Sequence, residues 1–323
     1  MNRRPLGRTG LDISELVIGG GFVGGILLQE DLENRLALYD RALAAGINWI
    51  DTAPSYGNGR SEESIGELLN HRPKEGRPHI STKVRLDPGD LVDVRGALER
   101  SLVGSLTRLG VDRVDLFQLH NPIGAGGLDL DAVLSSGGVA DGFDWLRDTF
   151  DVFDHAGFTA VGQPKDIRTI VDMGRFATAQ IYYNLINPSA GYAVPAGWTS
   201  TDFGGLIGAA AKSGMGVMNI RIFAAGVLAT TVRHGREIPI TVDADVAAEE
   251  ARAARVWAAL GEDHGTPAQA ALRFGLANPD VSCIVIGLAE MAHFDEALAG
   301  HALGPLPGEA IAKLRSIWDE DVR

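Results

Sequence analysis

Apolar residues recur along this chain with two alternating periods. From Glu30 to Ala45 the positions Leu32, Leu36, Tyr39 and Leu43 return at spacings of four and three, and Gly46 follows, which predicts an amphipathic helix with a glycine stop. Short apolar runs stand between such patterns: Leu16 to Ile18, Trp49 to Asp51, His79 to Val84, Val114 to His120, Phe158 to Val161, Thr178 to Tyr183, Gly216 to Ile220 and Ser282 to Ile286. Each reads as a strand. Helical spacing follows most of them, at Ile65, Leu68 and Leu69, at Leu98 to Leu109 before Gly110, and over 142–155, 167–173, 206–212 and 247–260, the last extended from Thr266-Pro267 to Leu276. Eight strands alternating with helices and no break in composition predict a single α/β domain over 1–323, a (β/α)8 TIM barrel. A doubly wound sheet is the alternative, but no G-x-G-x-x-G follows the first strand; glycines 19–21 and 24–25 are spaced differently. The loops 121–138, 187–204 and 228–245 follow strand C-termini and would gather at one mouth of a barrel.

Composition narrows the partners. With 45% hydrophobic and 22% charged residues the chain is ordinary globular material, and a net charge of -13 opposes a general basic surface for nucleic acid or anionic membrane. No signal-like apolar run follows Met1 to Gly7 and none of membrane-spanning length follows elsewhere, so a cytoplasmic protein with no membrane partner is expected. Cys283 is the only cysteine, which excludes an intrachain disulfide and a cysteine zinc cluster, and it reads as a core residue. His71, His79, His155, His234, His264 and His301 show no metal spacing, so no metal is expected. Asp144, Asp148, Asp151 and Asp154 read as a solvated helix face. The pattern fixes no oligomeric state.

The chemistry concentrates where strands end. Asp51 closes the second strand, Tyr56 follows on a Pro/Ser/Gly/Asn loop, Lys83 lies in the third strand and His120 closes the fourth. On a barrel these strands are neighbours, and the four side chains converge. A tyrosine is a weak acid near neutrality, but an adjacent ammonium favours its phenolate, and a carboxylate beside a buried lysine keeps that lysine charged. His120 would orient a carbonyl or hydroxyl by hydrogen bonding. The set suits proton transfer by Tyr56 coupled to hydride transfer, for which a cofactor is needed. Aromatic residues Tyr192, Trp198 and Phe203 in loop 187–204 offer a wall for a sugar or flat carbonyl compound or simply pack on their own loop, and Arg221 would sit at the mouth.

Several stretches together resemble the aldo-keto reductase superfamily: Asp51-Thr52-Ala53 with Tyr56-Gly57, Ser61-Glu62 and Ile65-Gly66, then Ser81-Thr82-Lys83, Asp115 to His120, Gln180 to Asn184, and Gly287 after the last strand. The resemblance implies a barrel that binds NAD(P)H, with Asp51, Tyr56, Lys83 and His120 as catalytic tetrad and Gln180 on the nicotinamide carboxamide. It further implies cofactor contacts at Gly20, Asn219, Gly287, Leu288, Glu290 and His293. Val161 to Asp166 replaces the family's Gly-Val-Ser-Asn, which, with Asn219, is more similar to the NAD-dependent sugar dehydrogenases that act on galactose, fucose and related aldoses. The usual stacking tyrosine near Ile220 is absent, and Phe223 is the nearest substitute. Glu290 stands where NADP-preferring relatives carry cations, which favours NAD over NADP; His293 and Arg273 are the nearby compensating cations.

The expected activity is therefore hydride transfer between a nicotinamide and a small-molecule substrate, an aldose at C1 or an aldehyde or ketone. A catalytically weak cofactor-binding regulatory or redox-sensor subunit of the same fold is the alternative. A Schiff-base lyase using Lys83 and a metal-dependent hydrolase using Asp51 and His120 are further rivals.

Overall fold

The computed structural model describes residues 1–21, 23–124, 126–230 and 245–321. Two short strands, β1 (Arg3–Pro5) and β2 (Asp12–Ser14), form an antiparallel hairpin ahead of the main sheet. Eight parallel strands follow: β3 (Leu16–Gly19), β4 (Trp49–Asp51), β5 (His79–Val84), β6 (Val114–Leu119), β7 (Phe153–Ala160), β8 (Thr178–Tyr182), β9 (Gly216–Ile220) and β10 (Cys283–Gly287). They close in sequence order, with β10 pairing back onto β3, so the predicted barrel is the fold observed.

The helices are α1 (Ile26–Gln29), α2 (Leu32–Ala44), α3 (Arg60–Asn70), α4 (Val94–Leu109), α5 (Leu130–Leu134), α6 (Val139–Phe150), α7 (Pro164–Met173), α8 (Leu206–Lys212), α9 (Val246–Leu260), α10 (Pro267–Leu276), α11 (Met291–Ala302) and α12 (Gly308–Asp319). Their ends follow local chemistry. The Asp31 carboxylate accepts from the Asn34 N–H at the start of α2, and Gly110 stops α4 in the left-handed region at φ 65°. The helix expected over 142–155 ends at Phe150 instead, because Asp151 turns left-handed at φ 48° and the chain enters β7 at Phe153. The run 247–276 is two helices, since Thr266 and Gln269 form a capping box with Pro267 that starts α10 afresh. The expected acidic face is ion-paired: Asp144 and Asp148 meet Arg147, while Asp151 and Asp154 meet Arg113.

Two apolar layers hold the barrel. The larger lies between strands and helices, and the smaller fills the lower interior with Val17, Trp49, Leu116, Met218 and Cys283 under a plug of Leu6 and Ile13 from the hairpin. Cys283 is thus the core residue its sequence context predicts, and burial pushes its thiol well up. Sealing the lower end leaves the polar inward residues at the opposite, C-terminal mouth, where (β/α)8 barrels place their sites. Loop 121–138 carries α5, and residues 231–244 of loop 228–245, including His234, lie outside the described residues. Among the described residues no helix is long and apolar enough to cross a membrane, and no three His, Cys, Asp or Glu side chains gather as metal ligands.

Candidate active site

Strand parity turns Asp51, Lys83, Gln118 and Gln180 into the barrel, where one carboxylate gathers the rest. Lys83 Nζ donates to Asp51 Oδ2 at 2.6 Å and to the Thr52 carbonyl at 2.8 Å. Asp51 Oδ1 accepts from Ser81 Oγ at 2.7 Å, Gln180 Nε2 at 2.8 Å and Gln118 Nε2 at 3.2 Å. An ionised carboxylate only accepts, so both glutamine amides must turn their nitrogens toward it. Lys83 is fully buried and Asp51 nearly so. Tyr56 completes the group from the loop after β4: its ring centroid lies 4.9 Å from Lys83 Nζ, and it meets the His120 ring edge-on at 5.6 Å. Ser55 Oγ lies 3.4 Å from His120 Nδ1.

A second buried network holds the tyrosine loop from behind. Glu62, at the start of α3, accepts from Thr82 Oγ1 at 2.5 Å and pairs with Arg108 at 2.7 Å, tying α3 to β5 and α4. Gly20 sits where a side chain would strike Ser61 Oγ at 2.4 Å, and Ser61 donates to its carbonyl at 3.0 Å. Only glycine permits that approach.

The electrostatics differ from the expectation in one respect. Burial raises the Tyr56 pKa above its ordinary value of 10.0, more than the Lys83 charge lowers it, so the phenol is held as an acid rather than poised as phenolate. Burial also works against the Lys83 charge, but Asp51 and Tyr56 outweigh it and the ammonium persists. Burial, with Lys83 and Arg85 adding to it, lowers His120 to about 3, which makes its imidazole neutral at ordinary pH. A pH profile should follow. Carbonyl reduction needs the protonated tyrosine, so its rate should stay level through neutrality and fall only at alkaline pH, while alcohol oxidation should rise over that same alkaline range. A limb near pH 6.5 that His120→Asn removes would contradict this assignment.

A cavity of about 580 Å³ opens beside the tyrosine. Asp51, Tyr56, His120, Gln180, Arg221, Phe223, Gly287, Leu288 and His293 all line it, so most of the sequence-derived residues meet on one wall or another. Gly20 stands just behind: its N–H donates to the Asp51 carbonyl at 2.8 Å, while Gly19, Gly21 and Gly24 form the surface. The fit to a nicotinamide dinucleotide is chemical as well as spatial. With Gln180 Nε2 held by Asp51, its Oε1 is left as an acceptor for a carboxamide N–H. Thr159, the neighbour of Gln180 in register, lines the cavity and keeps a buried hydroxyl with no partner. Glycine backbone at Gly21, Gly24 and Gly287 allows close approach of a diphosphate.

Four of the expected residues belong elsewhere. Tyr192 stacks on Tyr183, Phe274 and Trp318, with Arg315 over its ring, so α12 rather than substrate covers it. Trp198 is buried in the apolar core, and Phe203 packs on Tyr182, so loop 187–204 spends its aromatics on itself. Asn219 has the wrong parity: it points out toward α10 and donates to the carbonyls of Ile181, Tyr183 and Ile220. Glu290 is solvent-exposed on the rim, 3.4 Å from His293, and the carboxylate that does line the cavity is Glu296. Arg273 is buried with its guanidinium on the carbonyls of His264, Gly304 and Pro305, so it offers no charge to the cavity.

Sequence reasoning missed Arg85, Thr159 and Glu296. A threonine inside an apolar strand and an arginine just past one carry no local signal. The segment after β9 is also unusual, because Arg221 at φ 59°, Ala224 at 45° and Ala225 at 57° are all left-handed without being glycine. Each such residue costs roughly 1–2 kcal/mol, and such strain collects at functional sites.

Comparison with known proteins agrees with this geometry. The sequence model of the Aldo/keto reductase family matches residues 15–319. D-threo-aldose 1-dehydrogenase of Pseudomonas sp. is 32% identical over 151 residues, which cover 40% of this chain and 45% of that protein. NADH-specific methylglyoxal reductase of Escherichia coli (strain K12) is 31% identical over 138 residues, 37% of this chain and 42% of that protein. The chain therefore spans less than half the length of these curated relatives. The solved structure of an aldo-keto reductase from Bacillus halodurans, in its holo form, superposes with a TM-score of 0.75 over 100% of this chain and 98% of that one at 20% identity.

Proposed function

The chain belongs to the aldo/keto reductase family, and on that footing we propose that it is an NAD-dependent oxidoreductase in which Tyr56 moves the proton. The observation that carries this reading is the buried Asp51–Lys83 pair under Tyr56 at the wall of the cavity. The substrate is an aldehyde or ketone, or an aldose oxidised at C1. When bound, the nicotinamide supplies or accepts the hydride at the carbonyl carbon. The protein's own side chains manage the oxygen.

In reduction, His120 and the Tyr56 hydroxyl donate hydrogen bonds to the carbonyl oxygen. With Ser55 on Nδ1, Nε2 of the neutral imidazole keeps the proton that it donates. As the carbon takes the hydride, the Tyr56 proton passes to the oxygen and a phenolate remains, stabilised by the Lys83 ammonium. Asp51 keeps that ammonium charged in a site where burial alone would neutralise it. Oxidation runs the same steps backward, the phenolate taking the hydroxyl proton.

The preference for NAD over NADP rests on the far end of the cavity. His293, Glu296 and Ala297 form its wall there, Glu290 stands on the rim beside His293, and Arg273 is turned away. A 2′-phosphate would meet two carboxylates and one histidine. Fluorescence titration should give NADH the lower Kd by about tenfold or more, the ratio set by roughly 1.4 kcal/mol of missing phosphate contact. Tighter binding of NADPH would reverse the assignment.

A further inference from the structure

Two arginines stand at the tyrosine end of the cavity with no part in the proton relay. Arg85, the residue after β5, lines the wall beside His120 and, among the described residues, forms no hydrogen bond or ion pair. Arg221, just after β9, lines the same cavity, and its charge reaches the Tyr56 hydroxyl. The other charges nearby cancel. Asp51 neutralises Lys83, and His120 is uncharged. Burial also drives Glu249, which faces Arg221 from α9, toward its neutral form. Glu296 lies at the opposite end, where Thr266 donates to it at 2.5 Å. The reacting end of the cavity is therefore net positive.

A second observation is independent of charge. At φ 59° the Arg221 position suits glycine, yet the chain places a long cationic side chain there. Asn184 Nδ2 donates to the Arg221 carbonyl at 3.0 Å and holds the strained backbone in place. Strain kept by a dedicated brace points to a side chain in use.

We propose that Arg85 and Arg221 form a carboxylate subsite, so that the substrate is an aldehyde, ketone or aldose that also carries a carboxylate: a short oxo acid, a semialdehyde or a uronic acid. This rests on the nicotinamide-dependent carbonyl chemistry proposed above and narrows its substrate class. Guanidinium groups suit the task because their planar donors match a carboxylate in pairs.

The test compares succinic semialdehyde with its methyl ester in NADH-dependent reduction, and galacturonate with galactose in NAD-dependent oxidation. The anionic member of at least one pair should have the higher kcat/KM by about tenfold or more, with the preference shrinking as salt rises. Arg85→Gln should reduce that preference. Arg221→Gly should reduce it too while its thermal midpoint stays at or above that of the parent, since glycine relaxes the left-handed backbone; a purely structural arginine would lower it. NADH titration accompanies each variant. An unchanged Kd assigns both arginines to substrate, whereas a Kd that weakens in step with kcat/KM for Arg221→Gly puts that residue on the cofactor and overturns the subsite. Equal use of the neutral members, or a preference that survives both substitutions, also overturns it and leaves the family chemistry standing. Failure to bind NADH together with no turnover of any pair would instead remove the underlying function.

Discussion

Tyr56→Phe should lower kcat by roughly 10²–10⁴, the usual contribution of a positioned general acid, and leave NADH binding unchanged. The substitution removes one oxygen and keeps the ring. That ring packs edge-on against His120 and over Lys83, so the wall of the cavity survives. What is lost is the hydroxyl held between a buried ammonium and a neutral imidazole. Steady-state kinetics beside a fluorescence titration separate the two effects. Substantial turnover by Tyr56→Phe would take the proton-carrier role from this residue, and weakened NADH binding with normal kcat would make it a cofactor contact.

Lys83→Met should have the second largest effect, on stability as well as on rate. It leaves the Asp51 carboxylate buried with only neutral donors, from Ser81, Gln118 and Gln180. Removing one partner of a buried pair costs roughly 3–5 kcal/mol, because the remaining charge is uncompensated. Adding Asp51→Asn to that variant removes the stranded charge, so denaturant unfolding should recover most of the loss while turnover stays absent. The double substitution thus separates two roles of the pair. A Lys83→Met protein as stable as the parent would contradict the buried-pair account, and turnover in the double variant would show that the charge is not needed for chemistry.

Much of this site is legible in the chain itself, and the reason is geometric. Asp51, Lys83, His120 and Gln180 lie in or just after short apolar runs, and in a closed parallel barrel strand ends have to meet. The periods of two and 3.6 are enough to place them. Parity is where the expectation for Asn219 fails: it sits one residue after the inward Met218, and a single step along a strand reverses the face. Tyr192 and Trp198 fail for another reason. Their aromatic loop resembles a sugar wall, but α12 returns from the far end of the chain and Trp318 donates to the Leu185 carbonyl at 2.9 Å, closing that region as core. No local pattern announces such a contact. The Tyr56 phenol departs from expectation because burial competes with the nearby ammonium, and a sequence gives the partner but not the depth. Arg85 and Thr159 carry no signal since their importance lies in what they lack, a partner, rather than in their type or spacing.

The central claim is that this cavity passes a hydride directly between nicotinamide and a carbonyl carbon while Tyr56 handles the proton. NADH deuterated at the nicotinamide C4 hydrogen that is transferred, incubated with the protein and a carbonyl substrate, tests it in one measurement. Deuterium is expected on the carbon that bears the new hydroxyl, read by mass spectrometry or proton NMR, with no label exchanged from solvent at that carbon. Product free of deuterium, or labelled at that carbon only from deuterated water, would contradict it.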